Sequence, residues 1–268
     1  MIIHSYVMSN PDEVDVLGDC LDSLAPFSDR IFVVDGGLGG GTLCHKPRYT
    51  TPLNEWAAHA TLACRLYTHG PENRYGGEWR GIPFTLLENE FKDPKAQREW
   101  TLNEMAKEPD QPNWIVWIDS DEVCSWEFID GVRPYLESLP SYVTNVCPKW
   151  LTLIQDEHHY FPDHSNWLAH ARIHQPGAVK WHGAWHEDQQ YSGKRVQWPV
   201  SIIHTRMLYR RRLYVQRGHP FVKDGWKNAE CVPLPNGTAS WPKLTWPADE
   251  PVIPFDADIR EFEGGKYA

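Results

Sequence analysis

Asn113-Trp114-Ile115-Val116-Trp117-Ile118-Asp119-Ser120-Asp121-Glu122 passes from an unbroken apolar run directly into three carboxylates separated by one serine. A continuous β-branched and aromatic run of this length reads as a strand covered on both faces, the pattern of a parallel sheet inside an α/β domain. The acidic turn at its end puts Asp119 and Asp121 at a spacing that lets one or both reach a hard divalent cation, which prefers oxygen ligands and is usually shared with substrate phosphates. Acidic turns after strands also cap helices, so the pair gains meaning only from its surroundings.

Those surroundings begin at the first residues. Ile2 to Met8 reads as a strand that stops at Ser9-Asn10-Pro11. Asp12 and Glu13 open a helix whose Val14, Leu17, Leu21 and Leu24 form one apolar stripe, with Pro26 just beyond its end. Arg30 to Asp35 is the next strand, which completes a βαβ unit with a parallel pair. The glycines of Gly36-Gly37-Leu38-Gly39-Gly40-Gly41-Thr42 are expected to end that strand in a loop at its carboxyl end, where open α/β sheets bind ligands.

Farther along, residues 53–66 are expected to be helical on the spacing of Trp56, Ala60, Ala63 and Leu66, and Gly70 to Pro83 is polar and glycine-rich. Phe84 to Leu87 reads as a strand and Pro94 to Lys107 as a helix with proline in its first turn. A helix from about Ser125 to Leu139, an extended Tyr142 to Ile154, and strands at Val179 to His182 and Val196 to His204 follow. Met207 to Gln216 has helical spacing, and the proline-rich remainder is expected to wrap irregularly. The division is therefore a domain over 1–217 and a C-terminal extension over 218–268 that packs on it.

With 26 Lys plus Arg against 36 Asp plus Glu, the 268-residue chain carries a formal charge of −10, so as a whole it repels polyanions and anionic membranes. Arg206, Arg210, Arg211, Arg212 and Arg217 are its one basic cluster. No apolar run approaches the ~20 residues of a spanning helix, and the start lacks the layout of a secretory signal, so a soluble, cytoplasmic protein is expected. The six cysteines are scattered without a CxxC, which predicts reduced thiols rather than a zinc ribbon or a disulfide framework. His158, His159, His164, His170 and His174 lack the cysteine or acidic spacing of a zinc finger and read as wall or surface. The 14 tryptophans suit aromatic packing and the aromatic walls of a sugar site alike.

The order of these parts resembles the nucleotide-sugar glycosyltransferases of the GT-A fold, in particular the large inverting group called family 2. Val33-Val34-Asp35 to Thr42 is similar to the family's VVD-x-x-S-x-D-G-T segment, with Leu38 and Gly40 in place of its serine and second aspartate. Lys95-Ala96-Gln97-Arg98-Glu99 resembles its a-x-x-R-N helix start, and Trp114 to Glu122 its W-I-x-x-L-D-A-D-E. Ala171-Arg172-Ile173-His174, then Trp181-His182-Gly183-Ala184-Trp185-His186-Glu187-Asp188, resembles R-l-f-r … W-x-G-x-v-H-E, and His204 looks like the family's C-terminal metal-contacting histidine. The resemblance spans residues 2 to about 217.

It implies a Rossmann-like GT-A domain: a mostly parallel central sheet flanked by helices, a small antiparallel acceptor-side part and an irregular C-terminal tail. It implies a metal-dependent inverting transfer of a hexosyl-type sugar from a nucleoside diphosphate, UDP by expectation. Mn²⁺ or Mg²⁺ would be held by Asp119, Asp121 and His204. Asp35, Gly36, Arg98, Asp119, Ser120 and Gly183 would line the donor, and Glu187 or Asp188 would serve as the base, with Glu187 narrowly favoured. The acceptor stays open among glycans, proteins, lipid-linked sugars and a hydroxymethylated DNA base swung out of its stack. A nucleotidyltransferase, or a nucleotide or glycan binder without turnover, are the alternatives.

Overall fold

The structure is a computed structural model and describes residues 1–9, 14–38, 64–70, 74–91, 93–152, 159–160, 170–182, 189–205 and 232–233. The strands are β1 (Ile3–Ser9), β2 (Arg30–Leu38), β3 (Cys64–Gly70), β4 (Arg74–Trp79), β5 (Ile82–Phe91), β6 (Trp114–Asp119), β7 (Glu122–Cys124), β8 (Val143–Thr152), β9 (His159–Tyr160), β10 (Ile173–His174), β11 (Val179–Trp181), β12 (Gln189–Tyr191), β13 (Lys194–His204) and β14 (Val232–Pro233). The helices are α1 (Val14–Leu24), α2 (Pro94–Met105) and α3 (Trp126–Ser138).

Ten strands form one sheet in the order β3-β4-β5-β2-β1-β6-β10-β8-β13-β7. Its centre, β5-β2-β1-β6, is parallel throughout, as is the β8/β13 pair. Strand β10 joins the two parallel parts by running antiparallel to both β6 and β8. Strands β11 and β12 form a separate antiparallel pair, and β14 pairs with β9. This is the mixed α/β architecture, a large central sheet flanked by helices, that the βαβ start implied. Among the described residues no helix is long and apolar enough to cross a membrane.

The period of two along each strand divides the core. Ile3, Val7, Ile31, Val33, Trp114, Val116 and Ile118 pack with Leu17, Leu21 and Leu24 of α1 and Phe128 and Val132 of α3 on one face. Tyr6, Met8, Phe32, Val34, Ile115 and Trp117 pack on the other face with Met105, the last residue of α2, and with Val179 and Trp181 of β11. Helix α2 begins where expected because Asp93 accepts the Ala96 N–H at 2.7 Å and Pro94 supplies a preset φ at the first helical position. Helix α3 begins likewise, with Ser125 accepting the Phe128 N–H at 3.2 Å.

Two expectations fail. Strand β2 continues through Gly36 and Gly37 to Leu38, because β5 lies alongside and pairs Asn89, Glu90 and Phe91 with them; any glycine loop starts later. The end of the helix expected over 53–66 is strand, since β3 begins at Cys64; residues 51–63 lie outside the described residues. Gly70 to Pro83 contains β4 and a two-residue hairpin, in which Arg80 (φ 48°) and Gly81 (φ 83°) both take the positive φ that matches strand twist. Arg80 is held there by Asp22 of α1. The expected helix over Met207 to Gln216, and the extension over 218–268 apart from β14, lie outside the described residues.

His174, fully buried on β10, has one described polar contact, in which its Nδ1–H donates to the Gln175 carbonyl at 3.0 Å, so the proton sits on Nδ1. Burial lowers its pKa to about 4 from the ordinary 6.5. The folded chain therefore stays unprotonated on His174 at pH values where the unfolded chain takes a proton. Its contribution is intact above pH 6.5 and falls away toward pH 4, a loss of about 3 kcal/mol. Urea unfolding of wild type and His174→Gln at pH 7 and pH 4.5 checks this: the variant is expected to lose markedly less stability on acidification, and equal losses would contradict it.

Candidate active site

The site lies at the carboxyl ends of the central parallel strands. Registers Met8↔Asp119 and Ser9↔Asp35 put Asp119 and Asp35 on either side of β1, two strand spacings or roughly 10 Å apart. Asp35 and Gly36 belong to the end of β2, and nothing further is described of the Asp35 side chain.

The turn after β6 is fixed from both sides. The Ser120 N–H donates to the Met8 carbonyl at 3.1 Å, and the Asp119 N–H donates to Glu122 Oε2 at 2.8 Å. Short β7 then pairs antiparallel with β13, setting His204 opposite Glu122. The Thr205 N–H and Oγ1 both donate to the Asp121 carbonyl at 2.8 Å. This pairing is how a residue 83 positions away in sequence arrives at the acidic turn: His204 Nε2 lies 3.3 Å from Asp121 Oδ2. The His204 ring also meets Trp150 edge-on at 5.0 Å.

The three carboxylates have different surroundings. Asp121 is buried and faces His204. Glu122 is turned inward, where its Oε1 accepts from Arg172 Nη2 at 2.7 Å. Burial pushes its carboxyl upward, with Arg172 the largest opposing influence. Asp119 is partly exposed, with Oδ2 3.6 Å from the same guanidinium nitrogen. Among the described residues no three His, Cys, Asp or Glu side chains are gathered as a metal-ligand set. Asp121 and His204 come together as expected, whereas Asp119 is drawn toward Arg172. Asp121 and His204 thus offer one carboxylate oxygen and one imidazole nitrogen to a cation.

Beside this turn two arginines lie against one indole. Alternation along β6 places Trp117 and Asp119 on the face covered by α2. There the guanidinium carbon of Arg98 lies 5.1 Å from the Trp117 ring and 4.4 Å from that of Trp181. Arg172 lies 3.9 Å from the Trp117 ring. Trp117 is fixed by its Nε1 donating to the Ala171 carbonyl at 2.8 Å.

Arg98 is only 3% exposed, and its Nε and Nη1 have no hydrogen-bond partner among the described residues. Burial pulls its pKa down, and Asp119 is the largest influence holding it up. Two desolvated cation–π contacts supply about 2 kcal/mol or more each, while burying a guanidinium costs several kcal/mol and each orphaned donor adds about 1–3.

Asp119, Ser120, Asp121 and His204 meet at the turn after β6, and Arg98 lies beside them against Trp117 on the face covered by α2. Gly183, Glu187 and Asp188, and the basic cluster Arg206 to Arg217, lie outside the described residues. Arg172, Trp117 and Trp150 are additional members of the site. For Arg172 the signal was its place in the Ala171-Arg172-Ile173-His174 motif, but its pairing with Glu122 needed the fold.

No protein-family model matches the chain, and no curated protein matches it in sequence. Among solved structures, the crystal structure of S. aureus TarS 1–349 is similar at 10% identity with a TM-score of 0.45, over 86% of this chain and 66% of that one. The match thus spans just under two thirds of the TarS chain, a likeness too distant to bear on activity.

Proposed function

We propose that the protein is a metal-dependent inverting glycosyltransferase that moves a sugar from a nucleoside diphosphate, UDP in the first instance, to an acceptor hydroxyl. The observation that carries this reading is the Asp121–His204 pair in the turn after β6, with the buried guanidinium of Arg98 lying against Trp117 of that same strand. Transfer from a diphosphate needs a charge sink for the leaving group, a base for the acceptor and orientation of the anomeric carbon.

In this reading Arg98 donates to the diphosphate oxygens, and Asp35 at the end of β2 binds the nucleotide beyond them. Asp121 and His204 would hold the cation, Mn²⁺ or Mg²⁺, which when bound neutralises the departing charge; Asp119 would reach it or the ribose. Gly36 and Ser120 would line the donor, and Gly183, having no side chain, would let the sugar approach the backbone. Glu187 takes the acceptor proton, with Asp188 the other candidate. The acceptor is a glycan, a protein, a lipid-linked sugar or a modified DNA base.

Incubation with UDP-sugars and Mn²⁺ tests the reading. Slow release of free UDP, suppressed by chelation, is expected. Release of pyrophosphate from a nucleotide substrate instead would make the protein a nucleotidyltransferase, and binding of UDP-sugar with no release would make it a binder.

A further inference from the structure

Strand β13 ends at His204, which pairs with Glu122 of β7 on one side and with Thr152 of β8 on the other. Thr205 carries the contact with the acidic turn one residue past the end of that ladder. Its backbone N–H donates to the Asp121 carbonyl at 2.8 Å, and its Oγ1 donates to the same oxygen at 2.8 Å. A carbonyl oxygen has two lone pairs, so one residue meets both. Thr205 is 1% exposed, and the doubled bond is therefore made out of water. Any residue here would supply the N–H bond, whereas the second bond needs a β-hydroxyl. Threonine adds a stiff χ1 to it.

We infer that Thr205 is a positioning residue for the cation site. It fastens the Asp121 peptide to the residue next to His204, and so sets the separation at which the Asp121 carboxylate and the His204 imidazole face each other, 3.3 Å between Oδ2 and Nε2. On the β8 side the His204 ring meets Trp150 edge-on, which limits its rotation away from Asp121. The inference rests on the reading that Asp121 and His204 hold a divalent cation. Thr205 acts through these two residues and touches neither cation nor donor. Its hydroxyl matters because a pair of ligands held at a fixed spacing loses less freedom when the cation arrives than a loose pair does.

The test follows Mn²⁺ uptake by the full chain in the presence of UDP, read from the loss of the electron paramagnetic resonance signal of free Mn²⁺, which needs no turnover. Thr205→Val keeps the branched shape and the backbone N–H bond and removes the hydroxyl alone. It is expected to weaken uptake about tenfold, the usual cost of removing a group that orients a metal ligand. Thr205→Ser returns the hydroxyl and is expected to bring the affinity back to within about threefold of wild type. Thr205→Ala, which also lacks the hydroxyl, takes the place of Thr205→Val where valine fails to pack, and each variant is compared only with the circular dichroism of the wild type. Uptake by the wild type that the hydroxyl-free variants leave unchanged would overturn the inference alone, and so would a loss that Thr205→Ser shares in full. No uptake by the wild type would overturn the cation reading and the role of Thr205 with it.

Discussion

Asp121→Ala is expected to abolish Mn²⁺-dependent release of UDP from UDP-sugars, by about 10³-fold or more, while the protein stays folded. The magnitude follows from the several kcal/mol that a bound cation contributes to a developing diphosphate charge, at 1.4 kcal/mol per factor of ten. Folding is expected to survive because the bonds that fix the turn involve the Asp121 backbone: Thr205 donates twice to its carbonyl, and β7 pairs with β13 through neighbouring residues. Removing the carboxylate leaves His204 against Trp150 but without its acidic partner. Measured UDP release, with circular dichroism on the same preparation, checks both halves. A folded variant with undiminished release would remove Asp121 from the chemistry.

Arg172→Met is expected to lower stability by about 3–5 kcal/mol, the cost of leaving one member of a buried ion pair without its partner. The stranded group is Glu122, fully buried and bound on its other oxygen by the Asp119 N–H. Methionine keeps much of the volume over the Trp117 ring, so the loss comes mainly from the charge. The double variant Arg172→Met/Glu122→Gln is expected to recover more than half of it, because the uncompensated carboxylate is then gone. Urea unfolding of both variants decides the point. A loss under about 1 kcal/mol in the single variant, or no recovery in the double, would mean that Glu122 does not depend on Arg172.

The central part of this site was legible because its signals are local. An apolar run ending in Asp119-Ser120-Asp121 marks a buried strand and its exit. Pro94, preset for the first turn, marks a helix start in sequence, and that placed α2 and hence Arg98. What escaped depends on partners far away in sequence. The glycines at 36 and 37 are poor strand formers, yet β5 supplies their hydrogen-bonding neighbours, and such tertiary pairing overrides weak propensity. Strand β4 is polar and half-buried, so it lacks the apolar alternation that reveals a strand in sequence. The three residues of β7 are too few to carry a period, although they bring His204 to Asp121. Arg172 stood in a sequence motif without a partner; only the meeting of β6, β8 and β10 shows it buried against Trp117 and Glu122.

The most direct test of the account is a crystal grown with UDP and Mn²⁺ and measured at the manganese absorption edge. The account predicts one anomalous peak bonded to Asp121 and His204, in contact with diphosphate oxygens that Arg98 also reaches. A nucleotide bound with no metal at that corner, or a lysine side chain filling it, would contradict the account.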